Sequence, residues 1–265
     1  MINLGVNTVL FKKYTLSEAA ECISKAGYDG MELSAIGGMC EHLFLDGWKE
    51  QKAYIQETAE KFNLKLLSME VASLDEARLL KAFEAGAEIG IPIINVGSGG
   101  KANEEETLLA SIEKLNKMSA LAEQFGVTLC CKAHVGASIF NSATTLFAIK
   151  NISSKNFGID MDPSHIIRAG EKPEEALPQV ISNVKHIHIR DCKGPGPSPG
   201  EPALQACGRG DINLYGYFKA MVDGKYNGPV CLEVIGPELD MVSASIIAAE
   251  SYGYMNAYLK LLNAR

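Results

Sequence analysis

The stretch Gln124-Phe-Gly-Val-Thr-Leu-Cys-Cys-Lys132 joins the end of a helical pattern, a glycine and an apolar strand within a single short segment. The same order recurs at Lys25-Ala-Gly-Tyr-Asp-Gly30 and at Glu88-Ile-Gly-Ile-Pro92. A glycine at this position ends a helix because it adopts the left-handed conformation without strain. A helix that leads directly into a buried strand is typical of βαβ units with right-handed crossovers and a parallel sheet.

Strand patterns and helical patterns alternate over the whole chain of 265 residues. The strand candidates are residues 3–8, 30–34, 64–71, 93–97, 127–132, 157–162, 184–191 and 229–235. Helical patterns lie at 16–26, 48–62, 74–89, 104–125, 143–149, 173–182, 214–223 and 241–262. Eight such units favour a closed barrel, so we predict an α/β protein whose residues 1–265 form one (β/α)8 TIM-barrel domain. The main alternative, a dinucleotide-binding sheet, needs a glycine-rich turn after the first strand, and Asn7-Thr-Val-Leu-Phe-Lys-Lys13 contains no glycine.

Composition excludes several classes of function. The net charge of −7 and the pI of about 5.4 do not provide the basic surface that nucleic-acid binding requires. Seven scattered cysteines favour reduced, buried thiols over a disulfide framework. No apolar run is long enough to span a bilayer, and the N-terminal residues lack a signal-peptide pattern. We therefore expect a cytoplasmic protein that binds neither nucleic acid nor membranes.

Polar side chains end most of the predicted strands. Positions i and i+2 of a strand share a face, and the active site of a TIM barrel lies at the carboxyl ends of its strands. The residues expected to face this mouth are Asn7, Glu32, Glu70, Lys132, Asp162, His188 and Glu233, with His134 and Arg190 just above them. The proline- and glycine-rich segment 192–211 is long for a loop and is expected to lie over the same mouth.

Three of these residues could hold a divalent cation. Asp162, His188 and Glu233 supply one imidazole and two carboxylates from strand ends. Two of them also have structural alternatives, a hydrogen-bonded core histidine for His188 and a helix N-cap for Asp162. Glu233 follows Val-Cys-Leu in a buried strand, where an ionised carboxylate needs a partner.

A second polar layer is expected below the mouth. Asp160 and His186 lie one layer deeper than Asp162 and His188 on the same strand faces. We predict that Asp160 pairs with His186 or with a lysine.

Several segments resemble the xylose-isomerase-like TIM barrels, a superfamily that includes sugar isomerases, ketose 3-epimerases, inosose dehydratases and endonuclease IV. The matching segments are Gly27-Tyr-Asp-Gly-Met-Glu-Leu33, residues 127–134, Asp162-Pro-Ser-His165, His186-Ile-His-Ile-Arg-Asp191, Gly208-Arg-Gly-Asp-Ile-Asn213 and Tyr226-Asn-Gly-Pro-Val-Cys-Leu-Glu233. They follow the order of the family over nearly the whole chain. With only five histidines and an acidic charge, the chain does not match the DNA-repair members.

The resemblance assigns roles to individual residues. Asp162, His188 and Glu233 would be three of four ligands of one divalent metal (Zn, Mn or Mg), and His165 would contact substrate hydroxyls. Together with the other residues near the mouth, the expected substrate-binding set is His165, Arg190, Asn7, Glu32, His134 and Arg209. His134 is also a candidate replacement ligand. The resemblance further implies a small sugar or polyol as substrate, and it favours a homo-oligomer.

Lys132 departs from the family pattern, because the fourth ligand there is a glutamate that also acts in acid/base catalysis. The carboxylates of Asp162 and Glu233 with one ammonium carry the same net charge as three carboxylates with a divalent ion. An ammonium about 4 Å from a divalent ion is repelled by roughly 8 kcal/mol at an effective dielectric constant of ~20. Three arrangements avoid this repulsion: Lys132 swings away, or it loses its proton and can then serve as the base in place of the missing glutamate, or the metal is lost or weakly held. The metal is expected to be absent if Lys132 occupies its place.

Three functions follow from this sequence. The first is a sugar or polyol isomerase or epimerase that transfers a proton next to a carbonyl, with Glu233 and Lys132 as the catalytic pair. The second is a lyase or aldolase that forms a Schiff base at Lys132. The third is a non-catalytic barrel that binds a sugar.

Overall fold

The computed structural model describes residues 2–265 and forms a closed barrel of eight parallel strands. The barrel strands are β1 (Asn3–Asn7), β2 (Gly30–Ile36), β4 (Lys65–Ala72), β5 (Ile93–Gly97), β6 (Thr128–Lys132), β7 (Phe157–Met161), β8 (Val184–Ile189) and β9 (Pro229–Leu232). Strand β1 pairs with both β2 and β9, which closes the sheet. The short strand β3 (Cys40–Glu41) pairs antiparallel with the end of β2. The predicted (β/α)8 barrel is confirmed.

Helices surround the barrel and connect its strands. They are α1 (Leu16–Ala26), α2 (Trp48–Lys61), α3 (Glu76–Ile89), α4 (Glu105–Gln124), α5 (Ser142–Asn151), α6 (Pro163–Arg168), α7 (Pro173–Val180), α8 (Leu214–Asp223) and α9 (Met241–Leu261). Gly27, Gly90 and Gly126 follow α1, α3 and α4 with positive φ angles of 101°, 95° and 71°. The recurring helix–glycine–strand pattern therefore reflects left-handed turns that end these helices. In residues 2–265 no helix is long and apolar enough to cross a membrane.

Two features at the mouth of the barrel were not predicted as secondary structure. The short helix α6 begins directly after β7, and a 3-10 helix (Thr8–Phe11) follows β1. Both use a polar side chain at the end of a strand as the N-cap, Asp162 for α6 and Asn7 for the 3-10 helix. In both cases the side chain at the strand end accepts a hydrogen bond from a backbone N–H at the start of the following helix.

Asp191, just after β8, holds together the two ends of the segment 192–211. Its carboxylate accepts hydrogen bonds from the backbone N–H groups of Cys192, Gly208 and Ile212. A Cβ atom on Gly210 would lie 2.0 Å from an oxygen of the same carboxylate, so the loop approaches Asp191 too closely for a side chain. Asp191 therefore has a structural role in the loop. The seven cysteines are free, and all except Cys22 are buried, as expected.

A side chain at Gly30 should destabilise the barrel, because β2 and β4 approach each other closely there. A Cβ atom there would lie 2.5 Å from the Lys65 carbonyl oxygen and 2.7 Å from Leu67 Cγ. We expect Gly30→Ala to lower the free energy of unfolding by about 1–3 kcal/mol, because the sheet must shift to accept the methyl group. Denaturant unfolding followed by circular dichroism measures this loss.

The matched control is Gly253→Ala, on helix α9, where an added Cβ has no other atom within 4 Å. This variant should be neutral or slightly stabilised, because alanine favours a helix interior more than glycine does. Equal unfolding midpoints for the two variants would contradict the described packing of β2 against β4.

Candidate active site

A cavity of about 280 Å³ lies at the carboxyl ends of the strands. Its titratable lining consists of Glu70, Lys132, His134, His165, Arg190 and Glu233. Apolar residues complete its wall, including Ile36, Met39 and Ile235. A larger cavity of about 460 Å³ lies on the outer surface near α2 and α3, away from the strand ends. Because buried acidic and basic groups converge only in the smaller of these two cavities, it is the candidate active site.

Lys132 ends strand β6 and points its ammonium group into the cluster of carboxyl groups. Its Nζ lies 2.8 Å from Glu70 Oε1, 2.9 Å from Glu233 Oε1 and 4.0 Å from Asp160 Oδ2. Burial by itself lowers the pKa of Lys132, but Glu233 and Glu70 outweigh burial and raise the pKa above its usual range. The side chain is therefore a buried ammonium group that is shared by two carboxyl groups.

Glu70 and Glu233 differ in protonation although they share this ammonium group. Burial, followed by the charge of Glu233, raises the pKa of Glu70 well above that of an ordinary carboxyl group. At Glu233 burial acts in the same direction, but Lys132, His188 and Arg190 hold the pKa well below its usual range. The pKa values of the two carboxyl groups are therefore displaced in opposite directions, and Glu70 is the more readily protonated of the two. Neighbouring carboxyl groups whose pKa values are pushed apart are typical of acid/base catalysis.

Arg190 contacts several other polar groups at the mouth, on Asp162, Ser164, His165 and Glu233. Its guanidinium nitrogens lie 2.8 Å from Asp162 Oδ2 and 3.2 Å from Glu233 Oε2. Arg190 also donates hydrogen bonds to Ser164 Oγ and His165 Nε2, each over 2.8 Å. Burial and Arg190 lower the pKa of His165 well below its usual range, which keeps this imidazole neutral. Asp162 is also the N-cap of α6, which is the structural alternative that the sequence offered for it. Its other carboxylate oxygen accepts a hydrogen bond from the Ser164 N–H.

A second polar layer lies beneath the cavity, as predicted. His186 Nδ1 lies 3.0 Å from Asp160 Oδ1, which confirms the predicted pair. His188 Nδ1 lies 2.6 Å from Asp160 Oδ2, and its Nε2 lies 2.5 Å from Glu32 Oε2. Burial opposes the charged form of His188, but Asp160 and Glu32 raise its pKa well above the usual range. His188 is therefore an imidazolium group held between two carboxylates.

Asn7 and Glu32 belong to this deeper layer and do not line the cavity. Both are fully buried, and Asn7 Nδ2 donates to Glu32 Oε2 over 2.9 Å and to Glu70 Oε2 over 3.0 Å. Asn95, which was not predicted, donates to the other oxygen of Glu32. The structure thus places Asn7 and Glu32 below the cavity, because strand periodicity identifies the inward face and not the depth of each residue. Asn7 holds Glu70 through its hydrogen bond, and the expected substrate contacts of Asn7 and Glu32 stay predictions.

The last two expected substrate contacts lie in different places. His134, just beyond β6, lines the cavity rim, with its ring centroid 4.0 Å from that of His165. Arg209 does not line the cavity. Its guanidinium group makes a two-pronged ion pair with Glu250 of α9, so the loop carries it to the outer surface of the barrel. The structure therefore places Arg209 outside the cavity, and its expected substrate contact stays a prediction.

The expected metal ligands do not fit a divalent cation as they are arranged here. Three groups within residues 2–265 have donor atoms close enough to one another to hold a metal: Glu32–His186–Cys231, Asp160–His186–His188 and Glu32–Glu70–His188. None contains Asp162 or Glu233, whose carboxylates instead face Arg190 and Lys132. In the last two groups, donor atoms of His188 already hydrogen-bond to Asp160 and Glu32. Lys132 and Arg190 thus supply the positive charge that the expected ligands require.

Comparison with known proteins assigns the chain to a family. The sequence model of the xylose isomerase-like TIM barrel family matches residues 20–255. An inosose dehydratase of Clostridium perfringens is 27% identical over 146 residues, which are 49% of this chain and 48% of that protein. The chain therefore matches about half the length of this curated relative.

Solved structures share the whole fold. The structure of a D-tagatose 3-epimerase-like protein superposes with a TM-score of 0.79 and 19% identity, over 99% of this chain and 98% of that one. A D-psicose 3-epimerase solved in the presence of D-fructose gives a TM-score of 0.75 and 14% identity, over the full length of both chains. At these identities the likeness shows the fold alone.

The deeper layer should contribute strongly to stability through Asp160. We expect Asp160→Asn to lower the free energy of unfolding by about 3–5 kcal/mol, because it removes one partner of a buried ionic network. Denaturant unfolding measures the loss. The matched control, Asp223→Asn, removes an exposed partner of Lys219 and should change stability little. Equal stability of the two variants would show that the Asp160 network does not support the folded state.

Proposed function

We propose that this chain, which belongs to the xylose isomerase-like TIM barrel family, transfers a proton next to the carbonyl group of a small sugar or polyol. The observation that carries the proposal is the pair of Glu70 and Glu233 at the cavity. Both carboxyl groups contact the ammonium group of Lys132, and their pKa values are displaced in opposite directions, upward for Glu70 and downward for Glu233. Such a pair supplies a base and an acid at the same time.

The reaction follows from these charges. The Glu233 carboxylate removes the proton from the carbon next to the carbonyl group, and the C–H electron pair forms a C=C bond. The carbonyl π electrons move to oxygen, which gives an enolate. Glu70 then returns a proton to carbon, so that Glu233 ends neutral and Glu70 ionised. Return of the proton to the opposite face of the same carbon is epimerisation, and return to the former carbonyl carbon is isomerisation once a hydroxyl proton has moved.

The cavity supports a small hydroxylated substrate. Its volume of about 280 Å³ lies near the lower limit for small-molecule sites, so it suits a molecule of a few carbon atoms or a single ring. His134 and His165 form one edge of the cavity, where imidazole groups can hydrogen-bond to hydroxyl groups. The apolar wall with Ile36, Met39 and Ile235 can cover the carbon–hydrogen faces of such a molecule.

Dehydration is a second candidate reaction, supported by the similarity to the inosose dehydratase of Clostridium perfringens. It begins with the same removal of a proton next to a carbonyl group. The electron pair of the enolate then expels a hydroxyl group from the next carbon, and Glu70 protonates it so that water leaves. Formation of an unsaturated product therefore distinguishes this reaction from epimerisation.

The experiment is a screen of ketoses and inososes in D₂O, followed by proton NMR. We expect deuterium at the carbon next to the carbonyl group, or loss of water, for at least one of them. Glu233→Gln should slow this reaction about 10²–10⁴-fold, because the amide cannot accept the proton. Glu250→Gln, which alters only the outer pair with Arg209, is the matched control and should keep full activity. Absence of exchange with every compound, or full activity of Glu233→Gln, would reject the proposal.

Reductive trapping tests the Schiff-base alternative. Lys132 is a charged ammonium group between two carboxyl groups, whereas a Schiff base requires a neutral amine. We expect borohydride in the presence of an active substrate to leave Lys132 unmodified in peptide mass spectrometry. A reduced substrate adduct on Lys132 would instead identify a lysine-dependent lyase or aldolase.

A further inference from the structure

We infer that Lys132 and Arg190 together replace a divalent cation in this site, and that Lys132 donates the hydrogen bond to the substrate oxygen that becomes negatively charged. The inference rests on the proposed proton transfer for its chemistry, although its metal-binding part can be tested without a substrate. It assigns different tasks to the two cations. Arg190 holds the carboxylates in place, and Lys132 stabilises the reacting oxygen.

The two cations enclose the Glu233 carboxylate from both sides. Lys132 Nζ lies 2.9 Å from Glu233 Oε1, and Arg190 Nη1 lies 3.2 Å from Glu233 Oε2. Beyond Glu233, Lys132 also contacts Glu70, and Arg190 also contacts Asp162. Neither oxygen of Glu233 therefore faces the cavity without a cation beside it. A metal that bound Glu233 would have to displace one of these side chains.

The hydrogen-bond count separates the two roles. A guanidinium group has five N–H donors. Arg190 donates hydrogen bonds to Ser164, His165 and the backbone oxygen of Glu233, and its remaining N–H groups lie against the carboxylates of Asp162 and Glu233 in ion pairs. An ammonium group has three donors. Within residues 2–265, Lys132 hydrogen-bonds to Glu70 and Glu233, and Asp160 Oδ2, at 4.0 Å, is too far for a third hydrogen bond. One N–H of Lys132 remains for a substrate oxygen in the cavity that this residue lines. A preorganised charged donor at a developing enolate oxygen serves as an oxyanion hole.

The charges of the site also favour this assignment. The carboxylates of Asp162 and Glu233 are paired with two cations, since Arg190 lies 2.8 Å from Asp162 and Lys132 lies 2.9 Å from Glu233. A divalent cation would leave this buried site with two uncompensated positive charges. Lys132→Glu makes the net charge of these groups negative. The carboxylates of Asp162, Glu233 and the introduced glutamate, with the Arg190 guanidinium group, leave an excess of two negative charges. A divalent cation would neutralise that excess.

The test measures Mn²⁺ binding to the intact protein by calorimetry and by electron paramagnetic resonance, after dialysis against EDTA. We expect the natural chain to bind Mn²⁺ no better than millimolar, and Lys132→Glu to bind one ion at least 100-fold more tightly. Lys219→Glu, an exposed charge reversal on α8, is the matched control and should not gain this binding. Stoichiometric micromolar binding of Mn²⁺ by the natural chain would overturn the inference.

A second variant covers the case in which Lys132→Glu does not fold. Lys132→Glu combined with Arg190→Met frees both Asp162 and Glu233, and it should also gain Mn²⁺ binding. Circular dichroism and the unfolding midpoint identify which variants are folded. If no folded variant of the two binds Mn²⁺ more tightly than the natural chain, the cations do not occupy a metal position and the inference is wrong.

The role of Lys132 at the substrate oxygen has its own measurement. For a substrate that exchanges deuterium, Lys132→Met should lower kcat about 10²–10³-fold with little change in KM, since the bond strengthens only as negative charge develops. Activity of the natural chain should be unchanged by EDTA. Loss of activity in EDTA, or an unchanged kcat of Lys132→Met, would overturn this role. Failure of every substrate to exchange would instead reject the proposed proton transfer and leave the Mn²⁺ result valid.

Discussion

The buried contacts of Lys132 with Glu70 and Glu233 are the interaction on which the charges at the centre of the barrel mouth depend. All three residues are buried, with at most 4% of their surface exposed. A buried charge without a partner is strongly destabilising, so the charges of Lys132 and Glu233 depend on each other. Burial would raise the pKa of both carboxyl groups, but Lys132 lowers the pKa of Glu233, and the charge of Glu233 adds to the rise at Glu70. One strand-end lysine therefore supplies part of the positive charge of the site and helps to separate the pKa values of its two carboxyl groups.

The deeper layer makes this arrangement rigid. His188 joins Asp160 to Glu32, and Asn7 joins Glu32 to Glu70, so a continuous chain of buried hydrogen bonds leads to the cavity. Because these groups project from strands of a closed barrel, none can move without breaking several contacts. Such rigidity suits a site that must hold an acid, a base and a charged donor within hydrogen-bond distance of one carbon atom.

The fold and most residues of the site could be predicted from the sequence, but not all of the contacts between those residues. Glycines after helices and the alternation of strand and helix patterns predicted the barrel. The two-residue periodicity of the strands predicted which side chains face inward, including the pair of Asp160 and His186. Periodicity carries no information on where a long side chain ends. The reach of Lys132 to Glu70 and the pairing of Arg209 with Glu250 depend on which strands and helices become neighbours in space. Glu70 was predicted to lie at the mouth, but its raised pKa depends on its burial and on the charge of Glu233 beside it.

A fixed ammonium group and a bound metal are not equivalent ways to balance the same carboxylates. A metal ion coordinates several substrate oxygens and can leave, whereas Lys132 offers one directed N–H and is attached to its strand. A site built on Lys132 should therefore contact one substrate oxygen strongly and rely on hydrogen bonds from the histidines at the rim for the others. Its acid and base depend on the same cation, since any movement of Lys132 toward substrate weakens its contacts with Glu70 and Glu233. Charge developing on the substrate oxygen would compensate for that weakening, which couples proton removal to stabilisation of the enolate.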